Sequence, residues 1–233
     1  MNFTAKDVSD LRAATGIGMM ECKKALTEAN GDKEEAVKIL REKGLAVAAK
    51  KAGRIAAEGK VAIKTAGNKA AVIEVNCETD FAAKTDKFVA FVDKLLDIVL
   101  EGNVSDVDAL LAAKYDADNT VDDYLKKEVI NSIGENISVR RFQVVEGFLS
   151  TYVHGGGTIG VIVTGETTGD EATGKEVLKN LALQAAAMNP KFLDKDAVPA
   201  NAIEEEKAII LAQIKNDEKN ANKPEAVLEK MVL

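Results

Sequence analysis

In the first 44 residues the apolar positions fall three and four apart, the spacing that gathers them on one face of a helix. Val8 and Leu11 lie on such a face behind Thr4, a residue suited to cap a helix start. The turn Thr15-Gly16-Ile17-Gly18 breaks that helix. A second helix carries Cys22, Ala25, Leu26 and Ala29 as a buried stripe, and Asn30-Gly31-Asp32 stops it while supplying the next cap. The third uses Ala36, Val37 and Leu40 and is predicted to end near Gly44. Three helices of about ten residues each make a small bundle, marginal in stability alone.

Residues 45–58 are rich in Ala and Lys, lack a strong period, and read as a linker with partial helical character. Beyond them the period shortens to two. Val61–Lys64 and Lys69–Asn76 predict a β-hairpin about Gly67-Asn68, with Ala71, Ile73 and Val75 alternating. A helix follows from Thr85, with Phe88, Phe91, Val92, Leu95 and Val99 on one face; a weaker one covers Val104–Ala113 and a better one Thr120–Ile133. Strand signals return at Ile137–Val145, Phe148–His154 and Thr158–Thr164, and their short connections predict an antiparallel meander. A long helix then carries Val177, Leu178, Leu181 and Ala185 and stops at Asn189-Pro190. Strands followed by helices thus occur in residues 59–135 and again in 136–195, which predicts an α+β fold with a core of two related antiparallel halves.

Residues 196–233 differ. Ile203, Ile210 and Ile214 stand at heptad-like spacing before a polar turn over Asn216–Lys223, and Ala226, Val227 and Met231 follow. That is the outline of a helical hairpin, a coiled-coil arm. The chain ends at Met231-Val232-Leu233, inside an apolar periodic run with no stop signal, and reads as cut off.

Composition narrows the class. Hydrophobic residues make up 46% and charged residues 30% of 233, as in an ordinary globular protein. No run of eighteen apolar residues exists, and the start MNFTAKDVSD lacks a secretory signal. Two cysteines suit a reducing compartment, so a cytoplasmic protein is expected. The net charge of −7 is uneven: residues 1–60 hold 12 Lys+Arg against 9 Asp+Glu, and the remainder 19 against 29. No stretch is basic enough for a nucleic-acid footprint. A basic module on an acidic body suits a bipolar contact with a partner protein, although solvated faces explain the same pattern.

An enzyme needs a convergent set of reactive groups. The only histidine, His154, could in principle pair with Cys22 or Cys77. Yet Cys22 falls on the buried stripe of a helix and Cys77 ends a strand, both common places for inert thiols. Gly155-Gly156-Gly157 resembles no phosphate loop, because no Lys-Ser/Thr follows and the next segment is a strand. No metal-ligand cluster is visible. No cofactor is implied.

Three segments hold residues the fold does not demand. In Arg12-Ala-Ala-Thr-Gly-Ile-Gly-Met19-Met20-Glu-Cys-Lys23-Lys-Ala-Leu26, two adjacent methionines at a helix start cannot both face one core, so at least one should be exposed. In Glu74-Val-Asn-Cys-Glu-Thr79-Asp80-Phe81, Thr79 and Asp80 suit an N-cap and first turn. Phe81 is ambiguous. The helical stripe carried back from Phe88 buries it, whereas a second cap at Thr85-Asp86 leaves it on a separate, protruding turn; the residues alone leave both readings open. In Ile133-Gly134-Glu135-Asn136-Ile-Ser-Val-Arg140-Arg141, Gly134 ends a helix and the paired arginines hint at a bulge or a charged edge.

The first two segments resemble the two signatures of the bacterial elongation factor Ts family, the second having Thr-Asp-Phe-Val as its core. Ile-Gly-Glu-Asn-Ile and Tyr152-Val-His154-Gly155 are also similar, and the likeness runs along essentially the whole chain. It implies a ubiquitin-associated (UBA)-like bundle over 1–44, the two-half core, and the arm. It further implies a non-enzymatic guanine-nucleotide exchange factor for elongation factor Tu, acting on its GDP-bound and nucleotide-free forms, with no direct nucleic acid or membrane contact. By that resemblance Thr79, Asp80, Phe81 and Ala82 would dislocate the partner's magnesium. Arg12, Met19, Met20, Lys23, Ile133, Gly134 and His154 would make the other partner contacts, and a dimer of heterodimers is an open assembly. Ala82 stands where the family has Val, which trims apolar contact. The family pattern also continues past the arm with a strand and a helix absent here, so the chain reads as a fragment or as a version without them. A helical-bundle adaptor docking through residues 1–44 is the alternative of a different class.

Overall fold

Thr4 opens the first helix with a reciprocal cap: its N–H donates to the Asp7 carboxylate at 2.8 Å while the Asp7 N–H donates to the Thr4 hydroxyl at 3.4 Å. The computed structural model describes residues 2–15, 17–217 and 223–231. Gly16, most of the polar turn predicted over Asn216–Lys223, and Val232-Leu233 lie outside them. The chain divides into two units, Met1–Ala187 and Met188–Leu233.

Helices α1 (Ala5–Thr15), α2 (Met19–Glu28) and α3 (Lys33–Lys51) begin the first unit. Their apolar faces meet in a core of Val8, Leu11, Cys22, Ala25, Leu26, Ala29, Ala36 and Leu40 from the predicted stripes, joined by Ile17 of the turn, while the predicted Val37 is only partly buried against it. Asp32 caps α3 by accepting from the Glu35 N–H at 3.0 Å. One expectation is corrected: α3 does not end near Gly44 but runs on to Lys51. Gly44 is buried where α3 crosses a later helix. A Cβ there would stand 2.8 Å from the Lys127 carbonyl oxygen, so the glycine permits a close helix crossing and terminates nothing.

Strands β1 (Glu58–Ala66) and β2 (Lys69–Cys77) form the predicted hairpin, with Ala66 opposite Lys69 across Gly67-Asn68. The single turn α4 (Asp80–Ala83) and the helix α5 (Asp86–Leu100) follow, then α6 (Val107–Ala112). Next, α7 (Val121–Tyr124) passes through a π-helical turn, Leu125–Val129, into α8 (Ile130–Ile133). Ile73, Val75 and Cys77 on one face of β2 pack against Phe88, Phe91, Val92, Leu95 and Val99 of α5, with Val121 and Val129 completing the core.

The predicted meander is also corrected. Strand β3 (Ser138–Glu146) pairs antiparallel with β2, giving a sheet ordered β1-β2-β3, while β4 (Phe148–His154) and β5 (Ile159–Gly165) form a separate hairpin. Only Gly147 separates β3 from β4, too little for the two-residue turn of a tight hairpin. At φ 128° its N–H donates to the Asn68 carbonyl at 2.9 Å, and the chain turns a corner into another layer. The paired arginines do mark a bulge: the register slips between Glu74 and Val75, and Arg140 and Arg141 both reach the Glu74 carboxylate, at 3.2 and 2.7 Å. The β4–β5 hairpin covers the face of the sheet opposite α5. There a Cβ on Gly160 would lie 2.5 Å from Val61 Cγ1. Helix α9 (Glu171–Met188) backs the hairpin, with Leu178 beside Gly165. Of the stripe predicted on α9, Leu178 is buried, together with Ala182, whereas Val177 and Leu181 are half-exposed.

In the second unit, Asp194 caps a 3₁₀ turn at Lys195–Ala197. Helix α10 (Ala200–Asn216) starts after Pro199, and the short helix α11 (Glu225–Lys230) contacts it.

Candidate functional site

Two threonine caps six residues apart shape the corner after β2. Thr79, in extended backbone, accepts from the Ala82 N–H at 3.2 Å and starts α4; Thr85 accepts from the Phe88 N–H at 3.3 Å and starts α5. The chain therefore makes one isolated turn before the long helix. In that turn Ala82 and Ala83 pack inward and the Phe81 ring projects, 78% exposed. The two readings left open at this residue resolve toward the protruding turn.

The corner is pinned from beneath by the third segment. One oxygen of Glu135 accepts the N–H groups of Glu78 and Thr79 at 3.1 and 3.0 Å, and the other accepts the Thr79 hydroxyl at 2.7 Å. In return Glu78 accepts the Asn136 N–H at 2.6 Å and faces Arg54 at 3.4 Å, while the Asn136 amide donates to the Arg54 carbonyl at 2.7 Å. Gly134, at φ 83°, closes α8 in the left-handed conformation, and its carbonyl accepts from the Lys51 ammonium. Segments that are separate in sequence are thus one structure. Glu78, Glu135, Asn136, Arg54 and Lys51 do this work, and no periodicity or motif assigned them a role.

The electrostatics follow from these partners. The Asn136 N–H and the Arg54 guanidinium hold the Glu78 carboxyl below its usual range. Asp80 is likewise lowered, chiefly by the Lys84 ammonium 2.6 Å away. Lys84 also lies 6.0 Å from the Phe81 ring centroid, within reach of a cation–π contact. Around the ring the site therefore offers one exposed aromatic face, one carboxylate and one ammonium.

Both methionines at the start of α2 are exposed, Met19 by 43% and Met20 by 63%, and Arg12 and Lys23 are exposed beside them. Ile133 and Gly134 are half-buried behind the pinned corner. His154 sits exposed at the end of β4, its Nδ1 2.9 Å from the Tyr152 hydroxyl. The glycine run after it does more than turn. Gly157 accepts the Val61 N–H at 2.7 Å, and a Cβ on Gly157 would meet Lys60 Cγ at 2.5 Å, so this end of the hairpin is seated on β1.

Nucleophilic chemistry finds no support in the thiols. Cys22 and Cys77 are both buried; the Cys77 thiol donates to the Thr79 carbonyl at 3.1 Å and is pushed up to about 11, mainly by burial. Among the described residues His154 pairs with Tyr152 and neither thiol reaches it. No group of three or more His, Cys, Asp or Glu among the described residues is arranged to hold a metal ion. No helix among them is long and apolar enough to cross a membrane.

Comparison with known proteins adds a family. The family model described as Elongation factor TS matches residues 78–233. The elongation factor Ts of Clostridium perfringens (strain SM101 / Type A) is 48% identical over 236 residues, which span 99% of this chain and 76% of that protein. Those of Clostridium kluyveri (strain NBRC 12016) and Clostridium botulinum (strain Alaska E43 / Type E3) are 47% and 46% identical, with the same shares covered.

Proposed function

The chain belongs to the elongation factor Ts family of translation factors, and from that premise we propose that it is a guanine-nucleotide exchange factor, without covalent chemistry of its own, for the GTPase elongation factor Tu. It binds the GDP-bound partner, perturbs its magnesium and phosphate site, and stabilises the nucleotide-free form until GTP enters. In this reading residues 1–44 belong to a UBA-like docking bundle whose last helix runs on to Lys51, residues 59–135 and 136–195 make up the core, with β3 of the second stretch completing the sheet of the first, and residues 196–233 are a helical-hairpin arm. A cytoplasmic location follows from the role.

Exchange of this kind needs no reactive group. A factor that binds the empty partner more tightly than the loaded one weakens nucleotide binding by the same free energy. Each tenfold loss of nucleotide affinity needs about 1.4 kcal/mol of differential contact. Truncating one aromatic ring buried at the centre of an interface costs roughly 2 kcal/mol or more, enough for a loss of that order. The observation that carries the reading is Phe81: a phenyl ring 78% exposed on a corner held rigid from beneath. Thr79 and Asp80 flank it, and Ala82 sits underneath. The ring enters the GTPase domain once the phosphate- and magnesium-binding elements shift, and loss of magnesium then unmasks repulsion at the phosphates. Arg12, Met19, Met20 and Lys23 form a second contact with that domain, Ile133 and Gly134 back the first, and His154 meets another domain of the partner.

The deciding experiment is release of a labelled GDP from elongation factor Tu. Wild-type protein accelerates release and the Asp80→Ala/Phe81→Ala double variant does not; equal release by both removes the wedge.

A further inference from the structure

The two contact segments lie on different parts of the first unit, the methionine pair at the head of α2 and the Phe81 corner before α5. A rigid two-point contact needs something that holds them at a set spacing, and the fold contains one such bridge. Lys87, in the first turn of α5 and six residues after Phe81, extends its ammonium to the carbonyl of Thr15, the last residue of α1 and four before Met19. That hydrogen bond, at 3.2 Å, puts a cation on the C-terminal end of α1, where the helix dipole favours it. The same ammonium lies 3.7 Å from Glu128 in the π-helical turn, and Glu128 lies 3.5 Å from Nε of Arg41 on α3. Glu128 is largely buried, flanked by one cation from the bundle and one from the core. Burial lowers the Lys87 ammonium, with Glu128 opposing that shift. An apolar residue at this position could pack there, but it could not bond the Thr15 carbonyl and face Glu128 at once.

We propose that Lys87 and Glu128 form a positioning node that fixes the three-helix bundle to the Phe81 corner, so that both contact segments meet one partner surface together. The other bundle–core hydrogen bonds among the described residues lie on α3, where Asn131 Nδ2 donates to the Leu40 carbonyl at 3.2 Å and Lys51 to the Gly134 carbonyl, and Gly44 lies against Lys127. These hold one side of the bundle. Lys87 alone ties the α1–α2 end, among the hydrogen bonds of the described residues. Without it the bundle pivots about α3, and the second contact no longer benefits from the effective concentration the first creates.

The functional consequence rests on the exchange reading, but the node itself does not, so the test has two readouts. Both native thiols are buried, and nitroxide labels can therefore be attached selectively to Lys6→Cys on α1 and Lys94→Cys on α5 of the full chain. The wild-type background gives a narrow distance distribution; Lys87→Met and Glu128→Gln broaden it, and Lys87→Arg, which keeps the cation, restores it. An unchanged width in both variants overturns the node. In GDP release from elongation factor Tu, the same variants raise the half-saturating concentration on the order of tenfold and leave the maximal rate unchanged. A reduced maximal rate with unchanged half-saturation overturns the positioning role. Wild-type protein that fails to accelerate release defeats the exchange reading, and the label widths still judge the node.

Discussion

Glu135 and Thr79 stand 56 residues apart in the chain, and the carboxylate of the first accepts both the N–H and the hydroxyl of the second, at 3.0 and 2.7 Å. This pair joins the end of the helical segment α7–α8 to the corner that presents Phe81. It anchors an exposed aromatic turn without burying the ring, because the fixing contacts go to the N–H groups of Glu78 and Thr79 and to the Thr79 hydroxyl and leave Phe81 untouched.

Glu135→Ala leaves the N–H groups of Glu78 and Thr79 without their acceptor. The expected loss is about 1–3 kcal/mol of unfolding free energy in urea titration, with a parallel fall in GDP release. Full retention of both removes Glu135 from the support of the corner.

Phe81→Ala separates stability from function. The ring is mostly solvent-exposed in the isolated chain, so its loss shifts unfolding by no more than about 0.5 kcal/mol. Exchange should nonetheless fall at least tenfold. A large loss of stability would mean that the ring is needed by its own fold.

Gly44→Ala tests the helix crossing. Its Cβ would press on the Lys127 backbone, which has no flexible end to move aside, and a cost of about 1–3 kcal/mol is expected from thermal or urea unfolding. Gly53→Ala is the control. Nothing lies within 4 Å of its Cβ position, and stability should hold or rise slightly.

Acid tests the other half of the corner. Glu78 has a folded-state value lowered from 4.5 by the Asn136 N–H and Arg54. A lowered carboxyl contributes stability above its unfolded value and loses it as pH falls through the folded one. The stability gap between wild type and Glu78→Gln should therefore be full at pH 6 and shrink as pH falls below about 4.5. A gap independent of pH would detach Glu78 from the corner's acid sensitivity.

The thiols give a chemical check on the proposal that the protein works without a nucleophilic cysteine. With Cys77 pushed up to about 11 and both thiols buried, neither should react with a thiol reagent at pH 8 until denaturant is added. Rapid labelling of the native chain would reopen a cysteine role.

Much of this was legible along the chain. The caps at Thr4, Asp32, Thr79 and Thr85, the stripes of α2 and α5, and the first hairpin all follow from contacts within a few residues, where spacing and propensity act directly. The misplaced features, Gly44 and β3, share a cause. A glycine that ends a helix and one that admits a neighbouring backbone look alike in sequence. A strand one glycine away from the next reads as its partner until the turn is shown to be too short. Within the candidate site, the exposure of Met19, Met20 and Phe81 was raised as a question by the residues and answered by the fold.

Local sequence determined where helices and strands start and stop, which segments stood apart from core patterning, and, through its motifs, the family. Tertiary structure alone decided that β3 joins β2, that Glu135 and Asn136 underpin the Phe81 corner, and that Lys87 reaches the end of α1. Each of these is a hydrogen bond or ion pair between residues far apart in the chain. Such pairings obey distance and direction in space, and no periodicity along the chain encodes which distant donor will meet which acceptor.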